Sequence, residues 1–242
     1  MNPYQRYLLP RLVHCVCGSP VIAHQRQLVV PGARGRVLEI GFGSGLNLPH
    51  YDRSRVEWIW ALEPSPEMRA LAAPRVAASG LDVRMLDLPG EALPLPDRSV
   101  DSVVVTYALC TIPGVVAALR QMRRVLRPGG RLIFCEHGAA PDASVRRWQD
   151  RLDGVWSRSA GGCHLNRDIS ALIESATCRF SEVHHAYLPG TPRFVGYNIW
   201  GIAHARWPGA LGRGGLQKVH SATAVPSSIG VSCATGGSRR AL

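Results

Sequence analysis

The chain has 242 residues, 46% of them hydrophobic, which fits one α/β domain with additions and a sizeable core. The formal net charge is +11, yet 27 of the 28 basic residues are arginine and no basic run is interleaved with aromatics. This excludes a specific nucleic-acid footprint and leaves non-specific attraction to polyanions, or peripheral contact with anionic lipid headgroups, open. With no run of about 18 apolar residues, no signal-peptide centre in Met1-Asn-Pro-Tyr-Gln-Arg6 and an odd seven cysteines, a cytoplasmic protein with reduced thiols and no transmembrane segment is expected.

Residues 1–33 read as an N-terminal helical cap over the open side of a pocket. Pro10 interrupts the apolar pattern from Tyr4 to Val16, which predicts two short helices. A strand follows at 35–40, in which Val37, Leu38 and Ile40 carry one acid, Glu39. It breaks into Gly41, Gly43 and Gly45, a turn where backbone approaches a ligand without interference from Cβ. The dinucleotide pattern G-x-G-x-x-G needs a small residue at position 46, which is Leu46. The loop is therefore less suited to a pyrophosphate than to a ligand whose amino-acid moiety and ribose lie across the turn, and a dehydrogenase is disfavoured. Leu46 to His50 is expected to begin the first helix, with its N-terminal amides facing a carboxylate.

A second strand at 56–62 ends at Glu63, 18 residues past Gly45, where a doubly wound fold places its ribose-binding acid. Glycine turn and acid together favour a nucleoside cofactor. A helix is predicted over 67–78, opened by Pro66 and stopped by Gly80. A strand at 83–86 leads into the loop Asp87–Glu91. Val100 to Thr106 is so rich in β-branched residues that it suits a central parallel strand buried on both faces. A helix over 115–126, a strand at 131–135 and a closing hairpin around Tyr187–Ala203 complete an alternation that predicts a doubly wound, mostly parallel sheet with right-handed crossovers. After residue 204 the composition changes. Gly, Pro and Ser supply 14 of the last 38 residues, five more are basic and none is acidic, so 205–242 reads as a disordered tail.

Five segments fall in the order of a known family: Glu39-Ile-Gly-Phe-Gly-Ser-Gly45, Glu63-Pro-Ser65, Glu91-Ala-Leu-Pro94, Asp101-Ser-Val-Val-Val-Thr106 and Arg124-Val-Leu-Arg-Pro-Gly-Gly130. Over residues 34–136 the chain resembles class I S-adenosylmethionine-dependent methyltransferases. Leu109-Cys-Thr-Ile112, Glu136-His-Gly138, Arg147-Trp-Gln149 and Gly161-Gly-Cys-His-Leu-Asn-Arg-Asp168 extend the resemblance to about residue 204. They are similar to a bacterial branch related to methyltransferase-like small-molecule and thiol methyltransferases.

The resemblance implies a seven-stranded Rossmann-like fold with an antiparallel closing hairpin. It also implies three regions: a cap at 1–33, an S-adenosylmethionine-binding domain at 34–204 and the tail at 205–242. By the family pattern Glu39 orders the glycine loop and helps position the methionyl ammonium. Gly41, Gly43 and Gly45 admit the cofactor, Asn47 hydrogen-bonds nearby and Glu63 takes the ribose hydroxyls. Gly90 and Glu91 lie beside the adenine, although Glu91 serves equally as a helix cap or an arginine partner. Thr106 and Tyr107 lie beside the methionyl tail or the transferred methyl, with Tyr107 equally a pocket wall.

His137, after the fifth strand, and His164 are the candidates for deprotonating an acceptor. The competing readings are a loop-orienting role for His137 and, nearby, Asn166 as cap of a helix over 167–174. No metal is expected, because Cys15-Val-Cys17 has no second pair and Cys163-His164 are adjacent. The implied activity is methyl transfer to a small, partly apolar molecule, with a thiol as the first choice. The alternatives are O-, N- or C-methylation of a quinone, lipid or other metabolite, and a cofactor-binding module without turnover. A base-modifying enzyme is disfavoured because Thr106-Tyr107-Ala108-Leu109 follows strand four in place of an acid- or Asn-Pro-Pro-aromatic tetrad.

Overall fold

Parallel strands β1 (Gly35–Ile40), β2 (Val56–Leu62), β3 (Val83–Leu86), β4 (Val100–Thr106) and β5 (Leu126–His137) are joined by antiparallel β6 (Cys178–Tyr187) and β7 (Tyr197–Ala205). The order across the seven-stranded sheet is β3-β2-β1-β4-β5-β7-β6. The computed structural model describes residues 3–206 apart from Ala92 and Thr177. The tail expected to be disordered lies, from residue 207 onward, outside the described residues. Among the described residues no helix is long and apolar enough to cross a membrane.

Both faces of the central strands are buried, as their continuous apolar runs require. On one face Leu38, Ile40, Val103, Val105, Leu132 and Phe134 pack against Leu119 and Met122 of α4 (Val115–Val125) and Ile173 of α6 (Ile169–Ser175). The opposite face of the same strands presents Val37, Val104 and Ile133 to Val29 and Val30. The register sets Ile40 beside both Leu62 and Val105, so β1, β2 and β4 end level with one another. Since the connections leave β1 in opposite directions, this is the switch point at which an open α/β sheet forms its ligand crevice.

Local chemistry fixes the ends of α3 (Pro66–Ser79). The Ser65 hydroxyl accepts from the Met68 amide at 3.2 Å, Pro66 occupies the first turn where no amide bond is lost, and Gly80 adopts φ 65°.

The N-terminal cap differs from the expected pattern. A π-turn at Tyr4–Leu8 runs directly into α1 (Leu9–Cys17), and Pro10 sits in the first turn of α1, where its missing N–H costs nothing. The chain turns instead at Gly18-Ser19. Ser19 is extended (ψ 148°) because Pro20 follows it and opens α2 (Pro20–Val29).

The helix expected from Leu46 is also absent. Only a 3-10 turn, Leu48–His50, forms, because the Asn47 and Tyr51 side chains are drawn inward to Glu39 and the chain returns at once to β2. A 17-residue helix, α5 (Ala143–Ser159), was not anticipated, and α7 (Arg193–Gly196) is one turn between β6 and β7. Helix α6 is capped by Asp168, whose carboxylate accepts from the Ala171 amide at 3.0 Å, and not by Asn166. The Asn166 amide donates to Asp150.

Candidate active site

A cleft of about 1040 Å³ opens at the level ends of β1, β2 and β4. That matches the upper end of the range for a site holding one drug-sized molecule, and gives room for a nucleoside and a second reactant.

Its polar half begins at the glycine turn. Gly41, Gly43 and Gly45 have φ of 68°, 59° and 75°, a conformation that suits glycine, and a Cβ on Gly41 would stand 2.5 Å from the Ala108 methyl. Glu63, 8% exposed, lies across from the turn. Its Oε2 accepts from the Gly43 amide at 2.8 Å and its Oε1 from the Ser65 amide at 2.9 Å. Burial pushes this carboxyl above its ordinary value, against the pull of those two bonds and of Arg69. A carboxylate has about four acceptor sites, so two backbone bonds orient Glu63 and still leave capacity for a diol.

Behind this wall stands a buried network that does not line the cleft directly. Glu39, 1% exposed, accepts from Asn47 Nδ2 at 2.9 Å and from the Tyr51 hydroxyl at 2.7 Å. Burial raises its pKa to about 7, with the bonds from Tyr51 and Asn47 and the nearby Arg26 opposing. Thus Glu39 and Asn47 brace the loop from within. Thr106 does line the cleft, and its hydroxyl oxygen accepts from both Asn47 Nδ2 and Arg26 Nη1.

Arg26 is the residue that motif reading missed. It comes from α2, is 6% exposed, donates from Nη1 to Asn47 Oδ1 at 2.8 Å and lines the cleft with its Nε unpartnered. A sequence signal existed: Arg26 occupies the fourth position between Ile22 and Val30, an arginine on an otherwise apolar stripe.

Tyr107 is a wall residue. Its φ is 53°, its ring lies 5.4 Å from the Arg26 guanidinium and its hydroxyl donates to Asn198 Oδ1 at 2.7 Å, toward β7. Burial, with Cys135 adjacent, holds its phenol well above the usual range. Gly90 and Glu91 both line the cleft, and Glu91 Oε1 accepts from the Gly114 amide at 2.9 Å. That is the capping alternative: a carboxylate on the N-terminus of α4.

Apolar groups also line the cleft: Leu9, Pro10, Val13 and Cys17 of α1, and Ile112 and Pro113 from the loop after β4, where Ile112 lies against Gly90. The cleft's imidazole is His14, whose Nδ1 lies 2.7 Å from the Ser44 hydroxyl and whose Nε2 lies 3.4 Å from Arg75 Nη2. Burial and then the Arg75 charge lower its pKa.

Neither predicted histidine is on the wall. His137 Nε2 lies 3.1 Å from Cys163 Sγ. The His164 ring lies 2.9 Å from Asp153 Oδ2 and its amide donates to the Cys110 carbonyl, a tie between loops.

These features fit S-adenosylmethionine on the structure's own terms: an oriented, desolvated carboxylate for a ribose, a glycine turn, and a buried guanidinium with an unused N–H for a carboxylate.

Comparison with known proteins agrees. A methyltransferase-domain family profile matches residues 38–134. The human protein named thiol S-methyltransferase TMT1B is 35% identical over 181 residues, covering 71% of this chain and 72% of its own length. Human thiol S-methyltransferase TMT1A is 30% identical over 188 residues, covering 76% of each chain. Among solved structures, a methyltransferase from Bacillus halodurans superposes with a TM-score of 0.60 at 16% identity over 75% of this chain and 96% of its own, which supports the fold alone. The chain belongs to the class I S-adenosylmethionine-dependent methyltransferases.

Proposed function

We propose that this enzyme methylates the sulfur of a small, partly apolar thiol. The observation that carries the reading is a cleft that combines the oriented Glu63 carboxylate and the glycine turn with apolar side chains of α1. The names of the two human relatives support the choice of sulfur.

In this reading Glu63 accepts the ribose hydroxyls, Arg26 pairs with the methionyl carboxylate and the glycine turn admits the chain between them. Bound S-adenosylmethionine supplies a sulfonium-activated methyl group. Leu9 and Val13 exclude water and hold the acceptor in line. Such alignment is worth roughly 7–11 kcal/mol of barrier. A thiol suits such a site because its thiolate, though a minor species near pH 7, is intrinsically very nucleophilic. His14 has both ring nitrogens engaged, by Ser44 and Arg75, and its pKa is lowered by burial and the Arg75 charge, so it serves the wall of the cleft rather than as a base. Neither His137 nor His164 is needed as a base.

A matched set of hexanethiol, hexanol and hexylamine, each incubated with enzyme and S-adenosylmethionine, tests the reading through S-adenosylhomocysteine release. Methylation of the thiol alone is expected. Equal or preferential turnover of the alcohol or amine would overturn it.

A further inference from the structure

Three soft donors converge behind the acceptor half of the cleft, from segments with no local spacing in common. Cys110 lies in the loop after β4, His137 ends β5 and Cys163 follows α5. Their ligating atoms all lie within 4.8 Å of one another, and His137 Nε2 is 3.1 Å from Cys163 Sγ. We propose that Cys110, His137 and Cys163 form a binding site for one zinc ion.

Tetrahedral zinc with bonds of about 2.3 Å to sulfur and about 2.0 Å to nitrogen sets its donors roughly 3.5–3.8 Å apart. The three donor atoms, all within 4.8 Å of one another, are close enough for one ion to reach each of them. Two thiolates neutralise a divalent ion, which makes the set suitable for burial, and Cys110 is only 2% exposed. Cys–Cys–His is a donor set that zinc favours over the hard cations, and three protein ligands leave one position for a solvent or substrate atom.

The surroundings hold the donors firmly. Glu136 Oε1 accepts from the Ala108 and Leu109 amides at 2.8 and 3.0 Å, and Arg167 Nη1 donates to the carbonyls of Leu109 and Ile112. Both fix the loop that carries Cys110. The Trp156 indole N–H points at Cys163 Sγ from 3.4 Å, the kind of donor that supports a charged sulfur. His137 meets the site through Nε2, whose partner there is Cys163 Sγ. The site departs from the expectation of no metal, which rests on local spacing and on Cys163 and His164 being adjacent, whereas the fold brings Cys163 to His137.

The test is a titration of the reduced, metal-free full chain with Co²⁺ alone, read by absorption. One equivalent should give thiolate-to-cobalt charge transfer with tetrahedral ligand-field bands, and Zn²⁺ should displace it. The bands should vanish in a Cys110→Ser/Cys163→Ser double variant and persist in Cys178→Ser, whose thiol lies on β6. His137→Ala should weaken cobalt binding by more than the ~10–100-fold that loss of a supporting contact around a metal costs. As a measurement free of variants, one equivalent of Zn²⁺ should protect Cys163, the more accessible of the two thiols, from alkylation by iodoacetamide in the native chain. Absence of the charge-transfer band, its survival in the double variant, or equal alkylation with and without Zn²⁺ would overturn the proposal. None of these readouts depends on the identity of the methyl acceptor.

Discussion

The two halves of the cleft are built on different principles. In the cofactor half, contacts are polar and set by the nearby chain: Glu63 is oriented by amides two residues ahead of it and 20 residues behind it. In the proposed acceptor half the lining is assembled from distant segments, with Leu9 of α1 at the N-terminus lying against Gly161. A ligand with fixed charges and hydroxyls is served by a few directional groups, which a short motif can encode. A partly apolar acceptor is served by shape and burial, which only the completed fold supplies.

The contrast is most easily broken at Glu63. If, as proposed, Glu63 accepts both ribose hydroxyls, replacing it with Ala removes two charged hydrogen bonds of about 1.5–3 kcal/mol each, so S-adenosylmethionine should bind at least about 100-fold more weakly by calorimetry. Near-native affinity would remove Glu63 from the ribose.

On the other side, Val13→Asp places a charge in the apolar half. The acceptor KM should rise about tenfold or more from the lost apolar contact, while cofactor affinity stays within about twofold. Equal damage to both constants would show that the halves are not separable.

Glu91→Ala sharpens the assignment of a residue that touches both possibilities. If capping is its role, the variant loses about 1 kcal/mol of stability in denaturant titrations with cofactor affinity unchanged. A selective loss of cofactor affinity would instead assign it to the adenine.

A pH-dependent effect is expected at Glu39. Its folded pKa of about 7 lies above the ordinary 4.5, so the native state holds more protons than the unfolded chain between those values. Its contribution to stability therefore falls as pH rises through that window and levels off above it. Glu39→Gln lacks that slope, so the Tm of the native chain relative to the variant should decrease from pH 4.5 to pH 7. A constant difference in Tm would contradict the buried, raised carboxyl.

The same contrast explains what was legible before the fold was seen. Strands β1, β2, β3 and β4 fall on their predicted residues, because buried parallel strands are continuous apolar runs bounded by Gly, Pro or acid. The glycine turn and Glu63 meet across the cleft as their spacing implied. The helix expected at Leu46 failed because Asn47 and Tyr51 serve the buried Glu39, a tertiary demand that local propensity does not register.

Arg26 and His14 escaped notice because the cap that carries them precedes every motif, and only packing brings it over the cleft. His137 was placed correctly at the end of β5. Its ring faces Cys163, 26 residues on, an encounter set by how α5 returns over the sheet.

A crystal structure with S-adenosylhomocysteine bound addresses the central claim most directly. The account predicts ribose hydroxyls within hydrogen-bond distance of both Glu63 oxygens, the amino-acid carboxylate against Arg26, and the sulfur facing the apolar half under α1. A nucleoside bound away from Glu63, or a sulfur turned away from Leu9 and Val13, would contradict it.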